Sequence, residues 1–206
     1  DLDTARSIAE NNLRILADFA REGSPIVVTE PAAAVCLKYE YPKLVPHPDA
    51  QVVADRVIEA GEFLSGLRRQ GNLRTDFCEL PLVATYHTPC HLKSLGTSTP
   101  LLDLCNLIPR FSGRNEESGC SGFAGTFGLT RENFQESLVI GKTLIEQMRR
   151  DDHQLGLTEC SSCRMQMEQR TPTPTLHPLK ILALAWGLMP EIHRRLRPNT
   201  RKRLTS

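Results

Sequence analysis

Four of the seven cysteines stand where a thiolate can do chemistry. Cys160-Ser-Ser-Cys163 is the shortest spacing that lets two thiolates at a helix start reach one site. The positive partial charge of a helix N-terminus favours their ionised, ligating form. Cys120 lies in Gly119-Cys-Ser-Gly-Phe-Ala-Gly-Thr-Phe-Gly128, where a glycine recurs every third residue and lets the backbone turn and approach a ligand closely. Cys90 sits in Thr88-Pro-Cys-His91, directly after an apolar run. Three segments therefore offer four sulfurs, the set that a cubane iron–sulfur cluster or a tetrahedral zinc ion takes. Two other readings stay open on spacing alone: buried, reduced cysteines, and a catalytic dithiol.

His87 and His91 flank Cys90 and are candidates to bond a ligated sulfur or to tune a potential. Ser121, next to Cys120, has a hydroxyl suited to the same purpose. His177 precedes a proline at a helix start, where it either approaches the site or serves as a cap. Cys36, Cys78 and Cys105 read as buried packing residues, and Met165, Met167 and Met189 as core or interface. There is no serine–histidine–acid order, phosphate loop, paired-carboxylate motif or dinucleotide fingerprint, so no catalytic residue is assigned to this chain.

The elements that must position these residues follow from periodicity. Ile26-Val-Val-Thr29 and Leu82-Val-Ala-Thr-Tyr-His87 read as buried parallel strands, and Leu155-Gly-Leu-Thr158 as a weaker one. Helical spacing runs over 5–22, with Ile8, Leu13, Leu16, Phe19 and Ala20 on the apolar side. It runs over 49–69 as one helix, with Val52, Val53, Val57, Ile58 and Phe63 inward, and over 130–150 as another, capped by Thr130. Pro31 opens a helix that Pro42 closes. Further helices are expected from Pro100 to about Leu107, after Cys160, and from His177-Pro178 to Met189, with a loop at 171–175. This order predicts an α/β fold with a mostly parallel sheet flanked by helices. Ligands of such sheets sit beyond the carboxyl ends of the strands, which is where all four sulfurs fall.

A short repeat is visible. Thr29-Glu30 aligns with Thr158-Glu159, which sets Pro31 against Cys160 and Ala34 against Cys163. One strand–turn–helix unit is used twice, and the first copy has lost its sulfurs. The expected division is a partial first repeat over 1–75, a cysteine-bearing repeat over 76–190, and a basic tail over 191–206.

Composition narrows the functional class. Net charge is +1 and aromatics are 5% of 206 residues, which argues against a nucleic-acid binder. The most apolar stretch, Ile181 to Met189, is about half the ~20 residues of a membrane span. An odd number of irregularly spaced cysteines fits a reducing compartment better than a disulfide framework. The expected location is cytoplasmic, at most peripheral to the inner membrane. The sequence opens at Asp1 inside what reads as the approach to a helix, as a piece of a longer protein would.

With these motifs in view, Tyr86-His-Thr-Pro-Cys-His-Leu-Lys-Ser-Leu-Gly96, Gly119-Cys-Ser-Gly122 and Thr158-Glu-Cys-Ser-Ser-Cys163 resemble the cysteine-rich domain of heterodisulfide reductase. One subunit of the anaerobic glycerol-3-phosphate dehydrogenase and lactate-utilisation iron–sulfur proteins carry the same domain. The family pattern is Cys, then Cys-Cys-Gly, then Cys-x-x-Cys, usually in two copies. Gln166, Glu168, His177-Pro-Leu-Lys180 and Ala185-Trp-Gly-Leu-Met-Pro190 look like the tails of a fused branch. In that branch an FAD-linked oxidase domain and ferredoxin-like 4Fe–4S motifs precede this domain, as in D-2-hydroxyacid dehydrogenases of the D-lactate or D-2-hydroxyglutarate type. The resemblance implies an iron–sulfur electron-transfer module in which Cys90, Cys120, Cys160 and Cys163 hold one 4Fe–4S cluster. FAD and the ferredoxin-like partners would lie on the rest of the parent, and the electron acceptor is undefined. The alternative is a structural zinc site in a docking domain. Ser121 stands where the family has its second paired cysteine. Four thiolates therefore fit a conventional cluster or zinc better than the five-cysteine non-cubane cluster of heterodisulfide reductase.

Overall fold

The computed structural model describes residues 1–116 and 118–188. The basic tail, Met189 and Pro190 lie outside the described residues. In chain order the elements are α1 (Leu2–Arg21), β1 (Ile26–Val28), α2 (Pro31–Val35), a π-helical turn (Cys36–Glu40), α3 (Tyr41–Leu44), α4 (Pro48–Ala54), β2 (Val57–Glu59) and α5 (Ala60–Arg69). The second half holds β3 (Leu82–Tyr86), α6 (Cys90–Ser94), α7 (Pro100–Cys105), β4 (Phe111–Asn115), a 3-10 turn (Phe127–Leu129), α8 (Phe134–Ile140), α9 (Lys142–Met148), β5 (Leu155–Leu157), α10 (Ser161–Met167), β6 (Thr175–Leu176) and α11 (Pro178–Ala185). All strand pairs among the described residues are parallel, so this is an α/β fold with parallel sheets flanked by helices.

The strands form two sheets. β1 pairs with β2; the larger sheet has the order β4-β3-β5-β6. Side chains alternate across the larger sheet. Leu155 and Leu157 face a core that includes Leu82, Ala84, Tyr86, Leu101, Leu104, Ile181 and Leu184, and so lie on the side of α7 and α11. Gly156 faces the other way, where a Cβ would meet Met148 Cε at 2.6 Å and Met167 Cε at 2.8 Å. Glycine there lets α9 and α10 lie close on the strand. A separate core of Ala9, Leu13, Ala17, Ala20, Ala34, Tyr41, Val53 and Val57 holds the first unit together.

Several expected elements differ. The single helix over 49–69 is α4, β2 and α5. Val57-Ile58-Glu59 pairs with β1 in register Ile26↔Val57, and three residues are too few for periodicity to separate a strand from a buried helical turn. The helix over 130–150 begins at Asn133 rather than at Thr130 and divides at Gly141. Pro42 does not end its helix: after the π-helical turn it lies in the first turn of α3, where a missing N–H costs nothing. β4, through Ser112-Gly-Arg-Asn115, and β6, within the expected 171–175 loop, carry too little apolar signal to be seen as strands. On α1, Leu13 and Ala20 are buried as expected, but Ile8 and Phe19 are both 56% exposed. Cys105 is buried, Cys36 half-buried and Cys78 exposed. Met167 is buried, whereas Met165 is exposed.

Candidate metal centre

Three neighbouring parallel strands set where the cysteines go. β4, β3 and β5 are adjacent in the sheet and point the same way, so the segments leaving their carboxyl ends emerge side by side. Cys90 opens α6 after β3, Cys120 lies in the loop after β4, and Cys160 caps α10 after β5. Cys120 and, more weakly, Cys160 act electrostatically on Cys90. Cys163 interacts with Cys160 and with Cys90. The four sequence-selected cysteines thus leave the carboxyl ends of three adjacent strands on one edge of the sheet. Cys160 and Cys163 are buried there, and Cys90 and Cys120 face out. Among the described residues, no three His, Cys, Asp or Glu side chains stand close enough together to hold a single metal ion.

The local structure supports ionised sulfur. Cys160 Sγ is the N-cap acceptor of α10, taking the Cys163 N–H at 3.5 Å, and it lies 3.1 Å from Ser162 Oγ. The Cys163 thiol, against the opposing effect of burial, and then Ser162 and the Cys163 amide bring Cys160 down to about 6. Cys163 is pushed strongly the other way by Cys160 and by burial. Burial and the Cys120 thiol raise Cys90. The two thiols at the start of α10 thus pull each other in opposite directions, with Cys160 the more readily ionised, as in a Cys-x-x-Cys at a helix start. Cys120 Sγ accepts the Gly122 N–H at 3.3 Å.

The glycine loop is shaped by close backbone approach. Gly122 has φ +84°, and a Cβ there would come within 2.2 Å of Ser137 O; a Cβ on Gly141 would come within 2.2 Å of Ser121 O. The loop that carries Cys120 therefore lies directly on the junction of α8 and α9, and the same glycine that divides the long helix makes room for it. Gln166 ties the floor down by donating from Nε2 to Ser137 O at 2.8 Å. Glu168, two residues on, joins α10 to β6 by accepting the Thr175 N–H at 2.9 Å.

The other candidates divide. Ser121 is buried, and its hydroxyl donates to Cys163 Sγ at 3.3 Å. His87 is 1% exposed; its Nδ1 meets Ser118 Oγ at 2.9 Å and its Nε2 is buried with no partner. Burial, and then the Lys93 charge, hold it neutral, with its pKa lowered to about 4. His91 is exposed on the first turn of α6. The bonded partners of His177 are not sulfurs: Nδ1 accepts the Leu179 N–H, and Nε2 meets Thr29 O at 2.9 Å. Sequence reasoning gave no role to Ser118 or Tyr86 and named Glu159 only as part of the repeat. The Tyr86 hydroxyl reaches both oxygens of the buried Glu159 carboxyl, at 2.9 and 2.7 Å. The repeated Thr-Glu pair marked Glu159, but its partner became visible only once β3 and β5 were paired.

A redox cluster fits these residues. The donor set is all sulfur, from three strand ends, with a buried hydroxyl already bonded to one sulfur and an unpartnered imidazole nitrogen on the segment that leads to Cys90.

Residues 84–168 match the family model of the cysteine-rich domain. The matched segment contains Cys90, Cys120, Cys160 and Cys163. The chain is also similar to a subunit of the anaerobic glycerol-3-phosphate dehydrogenase, both from Escherichia coli K12 and from Escherichia coli O157:H7. Each is 31% identical over 184 residues, which is 89% of this chain and 46% of the relative. The chain thus spans about half the length of the curated relatives it matches.

Proposed function

We propose that this chain is an iron–sulfur electron-transfer module of a flavin-dependent dehydrogenase, with Cys90, Cys120, Cys160 and Cys163 holding one 4Fe–4S cluster. The observation that supports the reading is that Cys90, Cys120 and Cys160 follow the carboxyl ends of the adjacent parallel strands β3, β4 and β5, with Cys163 one turn on, inside a segment that matches the cysteine-rich domain. Zinc on the same four cysteines is the alternative, and metal analysis of the purified protein separates the two. When bound, the cluster supplies reversible storage of one electron. Around it Ser121 donates to Cys163, His87 Nε2 is the donor left for a further sulfur, and Gly122 N–H steadies Cys120. The ligand-poor residues 1–75, the cysteine-bearing residues 76–190 and the basic residues 191–206 form its three parts. FAD and ferredoxin-like domains of the parent are its partners, at a cytoplasmic site peripheral to the inner membrane at most.

The narrower reading is a D-2-hydroxyacid substrate, D-lactate or D-2-hydroxyglutarate. It rests on Gln166, Glu168, His177-Pro-Leu-Lys180 and Ala185-Trp-Gly-Leu188. A second reading, sn-glycerol 3-phosphate, is favoured by the name of the curated relatives. Anaerobic mixing of the full-length parent protein with each substrate separates them. The first reading expects bleaching of the cluster absorbance by a D-2-hydroxyacid and none by glycerol 3-phosphate; the reverse result would replace it with the second.

A further inference from the structure

The turn Thr29-Glu30 of the cysteine-poor unit is fastened onto the cysteine-bearing unit at the site itself. The Ser161 N–H donates to Glu30 Oε2 at 3.0 Å. His177 Nε2 donates to Thr29 O at 2.9 Å, a tautomer fixed by Nδ1 accepting the Leu179 N–H at 3.1 Å. These bonds hold a half-buried carboxylate against the first turn of α10, at the residue next to Cys160. The contact has two electrostatic effects. It occupies an amide that would otherwise be free to stabilise negative charge on the thiolates, and it brings in a further negative charge. Lys93 stands on α6, one turn after Cys90, and carries the opposite charge.

We propose that Glu30, supplied by the repeat that has lost its own ligands, sets the reduction potential of the neighbouring sulfur site by placing a fixed negative charge on the first turn of α10. An added electron makes the site more negative, so Glu30 disfavours reduction and Lys93 favours it. Glu30 is a tuning residue and touches no sulfur. The first repeat thus keeps an electrostatic role after losing its metal-binding one. This inference rests on the cluster reading above.

The test is redox titration of the anaerobically purified full-length parent protein, following the EPR signal that Cys163→Ser removes, alongside iron and acid-labile sulfide assays. Glu30→Gln keeps the acceptor for the Ser161 amide and removes the charge. It is expected to retain wild-type iron and to shift the reduction equilibrium about tenfold toward the reduced form, about 59 mV for one electron. Glu30→Asp is expected to stay near wild type, and Lys93→Gln to shift in the opposite direction. His177→Gln loosens the same turn without removing the charge and is expected to shift the midpoint in the same direction but clearly less than Glu30→Gln. A Glu30→Gln midpoint equal to wild type at full iron content would overturn the inference, as would an equal shift in His177→Gln, or loss of iron from Glu30→Gln at unchanged melting temperature. A wild-type protein without iron would instead overturn the cluster reading.

Discussion

Ser121 shows how much one side chain decides here. Its buried hydroxyl donates to the Cys163 sulfur, so under the proposed reading it would be a donor to a ligand rather than a ligand. Behind the sulfurs the Tyr86–Glu159 pair has the opposite character: it is structural and fully enclosed. Burial lifts the Glu159 carboxyl to about 7, partly offset by the Tyr86 hydroxyl. Tyr86→Phe would leave that carboxyl without its donor, and the loss of stability should be about 1–3 kcal/mol, read by urea unfolding of the variant against wild type. Glu59 is another buried carboxyl, 5% exposed, with Oε2 accepting the Gly61 amide at 2.7 Å and Oε1 unpartnered. Burial raises its pKa against the pull of the Gly61 and Glu62 amides, and the Glu62 charge adds to the rise; Glu159 is a further acidic neighbour. A carboxyl whose pKa is higher folded than unfolded stabilises the protein below its unfolded value and loses that contribution as pH rises through the folded one. Stability should therefore fall as pH rises above the ordinary carboxylate range, and Glu59→Gln should flatten that slope. An unchanged slope in the variant would remove Glu59 from the account.

At the scale of elements, the legible parts were those whose signal is chemical or long-range. The Cys-x-x-Cys at the start of α10, the strands β1 and β3, and the helix α1 all followed from residue type or sustained periodicity. β2 was lost inside a helical pattern because Val57 and Ile58 suit either period. β4 was hidden because Phe111-Ser-Gly-Arg-Asn115 is polar on its exposed side and owes its strand form to pairing with β3 along its whole length. The break at Gly141 has a tertiary cause, the approach of Ser121 O, which no local pattern encodes. At the candidate site the cysteines could be proposed from spacing, while the bonds that Ser118, Tyr86 and Glu30 make required the fold. Gly122→Ala tests the glycine argument. The φ of +84° alone should cost about 1–3 kcal/mol, and the approach to Ser137 O adds to it. A clear drop in the unfolding midpoint is expected, whereas Gly125→Ala, with a positive φ but open space around it, should lose less. Equal losses would show that the clash contributes nothing.

Across the whole molecule, two parallel sheets with separate cores meet where Thr29-Glu30 touches Ser161 and His177. The same strand–turn–helix unit appears on both sides of that contact, with sulfur at the start of one helix and proline at the start of the other. No helix among the described residues is long and apolar enough to cross a membrane. Cys90 and Cys120 are exposed and Cys160 and Cys163 are buried, so under the proposed reading an electron would enter or leave on the side of Cys90 and Cys120. The most direct measurement is the iron and acid-labile sulfide content of the anaerobically purified protein, beside that of Cys163→Ser. The account predicts about four irons and four sulfides at this site per chain, lost in the variant. A folded, colourless protein with no iron, or one whose iron survives Cys163→Ser unchanged, would contradict it.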